Sequence, residues 1–173
     1  MTEDNRPDWD SYFIELIKIT ATRSSCKKLK VGCMLVKDNR IISQGYNGHI
    51  AGCSHKSYLR DGHEVATVHA EQNAIADCAK RGVSCNNCKA YITHFPCLNC
   101  TKIMLSAGIK QIIYVNDYNN DCLVNQICEE AGCEIKKVNK KINKIKNEEN
   151  EENVKVEKFD SNNDLTFFNY WFF

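Results

Sequence analysis

Net charge is the first thing this chain lacks. Its 23 Lys and Arg balance 22 Asp and Glu, for a formal charge of +1 over 173 residues. Proteins that track a polynucleotide do so with clustered cations that neutralise phosphates, so the balance argues against such a partner. Residues 1–138 taken alone hold 17 basic and 15 acidic residues, so the acidic tail hides no basic domain. Long apolar runs are missing too, and nothing approaches the roughly 20 residues that a bilayer span requires. Residues 1–9 are acidic and polar, without the apolar stretch of a secretory leader. A soluble, cytoplasmic protein with no membrane partner is the expectation.

Cysteine, by contrast, is plentiful and odd in number, at 11. Without a leader, a disulfide framework is the weaker reading, because reducing compartments keep thiols free. Metal ligation and plain burial of small apolar side chains account for them better.

Periodicity predicts helices over 9–21, 69–80, 97–107 and 121–131. It predicts strands over 31–36, 40–44, 89–93, 109–115 and 133–138, the first two joined as a hairpin at Lys37-Asp38-Asn39. Strands alternating with helices of this length predict an α/β fold, here a three-layer α/β/α sandwich around a mixed five-stranded sheet. At Asn139 the composition turns to Lys, Asn and Glu, so 1–138 reads as one domain and 139–160 as a charged linker. Residues 161–173 form a terminal peptide with six aromatics between Phe167 and Phe173, read as packing on its own domain or a neighbouring subunit, or as inserting into another protein.

The chemistry is concentrated in His69-Ala70-Glu71 and Pro96-Cys97-Leu98-Asn99-Cys100. Zinc suits thiolate and imidazole, and a catalytic zinc keeps three protein ligands and one open position. Cys97 and Cys100, three apart at a helix start, share one face, where the helix N-terminus stabilises thiolate. His69 opens a second helix and supplies the third ligand, and Glu71 reaches the open position without ligating. A lone Cys-x-x-Cys is often a structural half-site or a redox pair, and a lone His-x-Glu carries nothing. Together, with proline before the first cysteine, they form the signature of zinc-dependent nucleobase deaminases. In that chemistry zinc acidifies a bound water towards a pKa of about 7. The hydroxide attacks an amidine-like carbon such as C4 of cytosine, while Glu71 shuttles protons to the ring nitrogen and the leaving amine.

The segments Cys26-Lys27-Lys28-Leu29-Lys30-Val31-Gly32, Ile41 to Gly48 with its Gly45-Tyr46-Asn47-Gly48, His69 to Ile75, and Tyr91 to Cys97 resemble the deoxycytidylate (dCMP) deaminase family. The resemblance covers about residues 10–138. It implies the cytidine-deaminase-like fold and hydrolysis of dCMP to dUMP and ammonia, which supplies thymidylate synthesis. It also implies a homo-oligomer, a hexamer in the family, often regulated by dCTP and dTTP. Residue by residue, His69, Cys97 and Cys100 match the zinc ligands and Glu71 the proton shuttle. Asn47 matches the asparagine placed at the nucleotide sugar, although an Asn-Gly pair also suits a left-handed turn. Tyr118 matches the tyrosine that lies against the base, or else is a surface aromatic. One departure is His49-Ile50, where family members usually carry proline two residues after Gly-Tyr-Asn-Gly, in the loop associated with effectors.

Some relatives carry a second, structural zinc. Cys26 matches one of its ligand positions, with Cys53, His55 and His63 as further candidates. The second Cys-x-x-Cys, Cys85 and Cys88, either completes that set or pairs by redox. Cys33, Cys78, Cys122 and Cys128 fall in predicted elements and read as buried small hydrophobes. His94, just before Phe95-Pro96-Cys97, either edges the substrate pocket or, as is commoner there, supports a neighbouring group or is satisfied by backbone, and it is left outside the site. Arg23, Lys27, Lys28 and Lys30 either meet the nucleotide phosphate, which needs cationic donors, or form a solvated basic edge, the commoner case. Two other functions compete. A tRNA adenosine deaminase, or another polynucleotide enzyme, shares the zinc motifs but needs a basic surface. A catalytically silent zinc scaffold would be expected to have lost Glu71.

Overall fold

A computed structural model describes residues 6–61 and 63–138, the side chain of His63 excepted. The linker and aromatic peptide expected over 139–160 and 161–173 lie outside the described residues. Helix α1 (Trp9–Thr22) starts where the Asp8 carboxylate accepts from the Ser11 N–H at 3.0 Å, satisfying a donor that the first turn leaves free. Strands β1 (Gly32–Lys37) and β2 (Arg40–Tyr46) follow as a hairpin. Asp38 and Asn39 at its tip both take positive φ, 49° and 56°, which matches the right-handed twist of the strands they join.

Two short ribbons come next. β3 (Gly48–His49) pairs with β6 (Thr67–Val68), and β4 (Leu59–Arg60) pairs with β5 (His63–Glu64). Sequence periodicity does not predict these, because a two-residue strand is too short to alternate. Then come α2 (Ala70–Arg81), β7 (Lys89–His94), α3 (Leu98–Ser106), β8 (Gln111–Asn116), α4 (Cys122–Glu130) and β9 (Glu134–Lys137). Gly82 ends α2 in the left-handed conformation, φ 65°, as a helix C-terminus favours.

The main sheet runs β2-β1-β7-β8-β9. Its first three strands are antiparallel, and β7, β8 and β9 are parallel. The mixed five-stranded sheet is therefore as expected. Side chains alternate across it. Cys33 and Leu35 pack with Ala70, Ala74, Cys78, Met104, Val124 and Cys128 from α2, α3 and α4. Met34 and Val36 pack with Phe13, Ile14 and Ile17 of α1. Helices on both faces make the three layers. One cysteine departs from expectation: Cys122, on the first turn of α4, is exposed, whereas Cys33, Cys78 and Cys128 are buried.

Gly45 positions the site. A Cβ there would sit 2.3 Å from the Ala70 carbonyl oxygen and 2.6 Å from the Ala74 nitrogen. The backbones of β2 and α2 thus approach more closely than any side chain allows, seating the first turn of α2 directly on the sheet.

Candidate metal centre and substrate cavity

His69 and Cys97 occupy equivalent places. Each is the extended residue capping a helix, with φ/ψ of −70°/156° before α2 and −72°/161° before α3. The chain bends there, and side chains at the two caps converge. Gln72 Oε1 accepts from the His69 N–H at 3.2 Å, and Cys97 Sγ accepts from the Cys100 N–H at 3.5 Å. His69 Nδ1 lies 3.6 Å from Cys97 Sγ and 3.4 Å from Cys100 Sγ. Zn–S bonds of about 2.3 Å and Zn–N bonds of about 2.0–2.1 Å place tetrahedral N and S ligands about 3.5 Å apart. The three donors fit zinc in type and in spacing. Among the described residues they are the one group of three such donors within reach of a common ion.

Electrostatics agree with a thiolate site. Cys97 Sγ accepts a hydrogen bond from Cys100, then others from His69 and the Cys100 amide, and these hold its thiol at about 4 against opposing desolvation. Cys100, as the donor in that pair, is pushed far upward, with burial and the nearby Glu71 adding to the shift. Both sulfurs would ligate as thiolates, so metal loading would release the proton they share. Glu71 is buried, and burial raises its carboxyl, while its own amide and His69 oppose the rise. A carboxyl lifted this way suits a group that must both take and give a proton.

Above this floor opens a cavity of about 290 Å³ lined by His69, Glu71 and Cys97 together with Lys28, Asn47, His94, Phe95 and Tyr118. That is the lower end of the roughly 300–1,000 Å³ typical of small-molecule sites. The site is not the largest cavity; a wider one of about 630 Å³ lies by Trp9, Tyr12 and Arg40 and shares no lining residue with it.

Asn47 does not take the left-handed turn, being absent from the described positive-φ residues. Its Oδ1 accepts from the Val31 N–H at 2.8 Å and its Nδ2 donates to the Leu29 carbonyl at 2.9 Å. It therefore braces the 29–31 segment that forms one wall. Tyr118 is half-exposed at the rim, edge-on to the His94 ring at 6.3 Å and 79°. Several wall residues stand outside the sequence-based site, Lys28 and His94 among them. Lys28 lines the cavity instead of belonging wholly to a solvated edge, and His94 lines it as well.

Among the described residues the second-metal candidates form no group of three donors within reach of one ion. Cys53 and His55 are exposed, and His55 stacks on His49 at 5.1 Å instead of facing a sulfur. Cys26 lines the substrate cavity, and the His63 side chain lies outside the described residues. Cys85 and Cys88 are buried in the core, where Cys85 Sγ donates to the Ala107 carbonyl at 3.7 Å. All 11 cysteines are free thiols.

Fold and floor together define a zinc-dependent deaminase, and comparison with known proteins agrees. Residues 7–116 match the cytidine and deoxycytidylate deaminase zinc-binding region, and the chain belongs to that family. It is 40% identical to ComE operon protein 2 of Bacillus subtilis over 137 residues, 77% of this chain and 72% of that one. It is 36% identical to a deoxycytidylate deaminase of Schizosaccharomyces pombe, covering 76% of this chain but 44% of the yeast protein. The dCMP deaminase of cyanophage S-TIM5, solved with dCMP and dUMP, superposes with a TM-score of 0.70 at 30% identity, over 77% of this chain and 98% of that one. Among the described residues no helix is long and apolar enough to cross a membrane.

Proposed function

We propose that the protein hydrolyses dCMP to dUMP and ammonia, and so supplies dUMP for thymidylate synthesis. One observation carries this reading: a single cavity joins a His-Cys-Cys floor and a buried carboxyl to a wall holding a cation, an amide and an aromatic ring. Those are the partners that the phosphate, sugar and base of a pyrimidine nucleotide require. The phage relative solved with dCMP and dUMP supports the same substrate.

His69, Cys97 and Cys100 would hold zinc, which when bound supplies an activated water at its open position. Glu71, two residues past the His69 ligand and buried against Cys100, would take a proton from the attacking water and deliver it to the ring nitrogen, then take the proton of the hydroxyl added to the ring carbon and pass it to the departing amine as the carbonyl forms. Lys28 pairs with the 5′-phosphate, Asn47 faces the sugar from the wall it braces, and Tyr118 lies against the base.

Homo-hexameric assembly and control by dCTP and dTTP belong to the same proposal, and light scattering with and without the triphosphates tests them. A second zinc, held by Cys26, Cys53, His55 and His63, is read by metal stoichiometry, where two ions per chain would support it. The direct test is ammonia release from dCMP, CMP, dCTP and an RNA stem-loop, run beside a zinc-loaded Glu71→Gln control. Turnover of dCMP alone or foremost is expected. Turnover of the stem-loop with dCMP inert would overturn the reading.

A further inference from the structure

We propose that His94 binds the substrate, donating from Nε2–H to an oxygen of the nucleotide, with the Thr93 hydroxyl as the positioning group that fixes this tautomer. The inference rests on the cavity being the dCMP site.

Thr93 is buried, and its Oγ1 already accepts from the Gly32 N–H at 3.1 Å. The same oxygen lies 3.0 Å from His94 Nδ1, and among the described residues these are its two hydrogen bonds. A buried hydroxyl that accepts from an amide still has its own proton to place. The imidazole nitrogen is where that proton goes, so Nδ1 is an acceptor. An Nδ1 that accepts belongs to a neutral ring, and partial burial favours that form by pushing the ring below its ordinary pKa. A neutral imidazole accepting at Nδ1 carries its hydrogen on Nε2. That nitrogen is the ring's remaining polar atom, and the ring lines the cavity beside Phe95, Cys97 and Tyr118.

The ring is also held in place. The Asn116 Nδ2–H donates to the Thr93 carbonyl at 2.9 Å, and the Phe95 N–H donates to the Asn116 carbonyl at 2.8 Å. Both bonds clamp the end of β7 to β8 around His94. Tyr118 meets the ring edge-on from the next loop. A donor so fixed on a strand end is preorganised for one acceptor. A pyrimidine nucleotide offers oxygens on base, sugar and phosphate. Loss of a bond to a neutral oxygen weakens binding roughly tenfold, and to a charged one up to about a hundredfold.

The experiment measures kcat and KM of zinc-loaded wild type, His94→Leu and His94→Gln with dCMP and with deoxycytidine. We expect His94→Leu to raise KM for dCMP at least about tenfold with zinc content unchanged, and His94→Gln, which keeps an N–H donor, to recover most of the loss. If the acceptor is a phosphate oxygen, the effect is confined to dCMP; if it is on base or sugar, deoxycytidine shows it equally. A KM within twofold of wild type in His94→Leu overturns the assignment, as does a His94→Gln no better than leucine. Long-range 1H–15N spectra of the ring should show the proton on Nε2, and a proton on Nδ1 overturns it too. Wild type inert towards dCMP would refute the proposed function instead, and the ring spectrum would then judge His94 by itself.

Discussion

His69, Glu71 and Cys97 reach the floor of the cavity from the starts of two helices, with Cys100 buried beside His69, whereas Lys28, Asn47, His94 and Tyr118 reach its wall from four separate segments. The floor is local. Each ligand is set by a helix cap, and two short motifs hold all four residues. The wall is global, because each member arrives by a different route through the sheet. Chemistry, on this comparison, is concentrated in a few rigid residues, while substrate choice is spread over many replaceable ones. Damage to the floor should therefore be all-or-none, and damage to the wall graded.

The largest effect should come from Cys100→Ala. Cys100 is fully buried and lies 3.4 Å from His69 Nδ1, and two remaining ligands cannot close a tetrahedral site. Zinc content by mass spectrometry should fall to background together with turnover. Zinc retained alongside full activity would refute the floor as drawn.

Glu71→Gln separates metal from proton transfer within the floor itself. The amide keeps the shape of the side chain but cannot carry a proton, so kcat should drop roughly 10²–10⁴-fold, the usual share of general acid–base catalysis. Zinc should stay at wild-type stoichiometry. Loss of zinc in this variant would make Glu71 a ligand and the assignment wrong.

On the wall, Asn47→Ala removes two hydrogen bonds to the 29–31 segment. At about 1 kcal/mol each, the loosened segment should cost roughly 2 kcal/mol of stability, read as a fall in Tm. KM for dCMP should rise several-fold with kcat little changed. A collapse of kcat instead would move Asn47 from the wall to the floor.

The same division explains what could be read from the sequence. The five main strands and four helices were visible because each is long enough to show its period, and because Gly82 and the Asp38-Asn39 pair punctuate them. The floor was visible because helix caps convert spacing directly into geometry. Cys85 and Cys88 show the limit of that rule. They have the same spacing as Cys97 and Cys100, but they close a tight turn, with the Cys88 N–H donating to the Cys85 carbonyl at 3.2 Å, and their thiols enter the core. Spacing without a helix start does not make a metal face. Lys28 could not be told from Lys27 or Lys30, since only the tertiary path of that loop decides which one lines a cavity. His94 shows a related limit: a histidine at a strand end is often satisfied by backbone, and only the buried Thr93 hydroxyl beside it shows which nitrogen is left for the cavity. The ribbons β3–β6 and β4–β5 left no periodic trace at all.

The smallest effect tests where the wall stops. Every described residue lining the cavity falls between Cys26 and Asn119, and the domain expected from composition closes at Val138. Ending the chain at Lys158 deletes Phe167, Phe168, Tyr170, Trp171, Phe172 and Phe173. A cluster of aromatics in a terminal peptide more often serves contact with protein than chemistry on a nucleotide, so turnover of dCMP per zinc should stay within a few-fold of the full chain. Solubility or assembly state is where the change should appear, since burying one large aromatic is worth about 1.5–3 kcal/mol and six leave together. Steady-state rates normalised to zinc, beside light scattering of both proteins, make the comparison. Activity lost with zinc and assembly intact would place the terminal aromatics in the wall, and the distributed half of the site would then extend beyond the segments that line the cavity here.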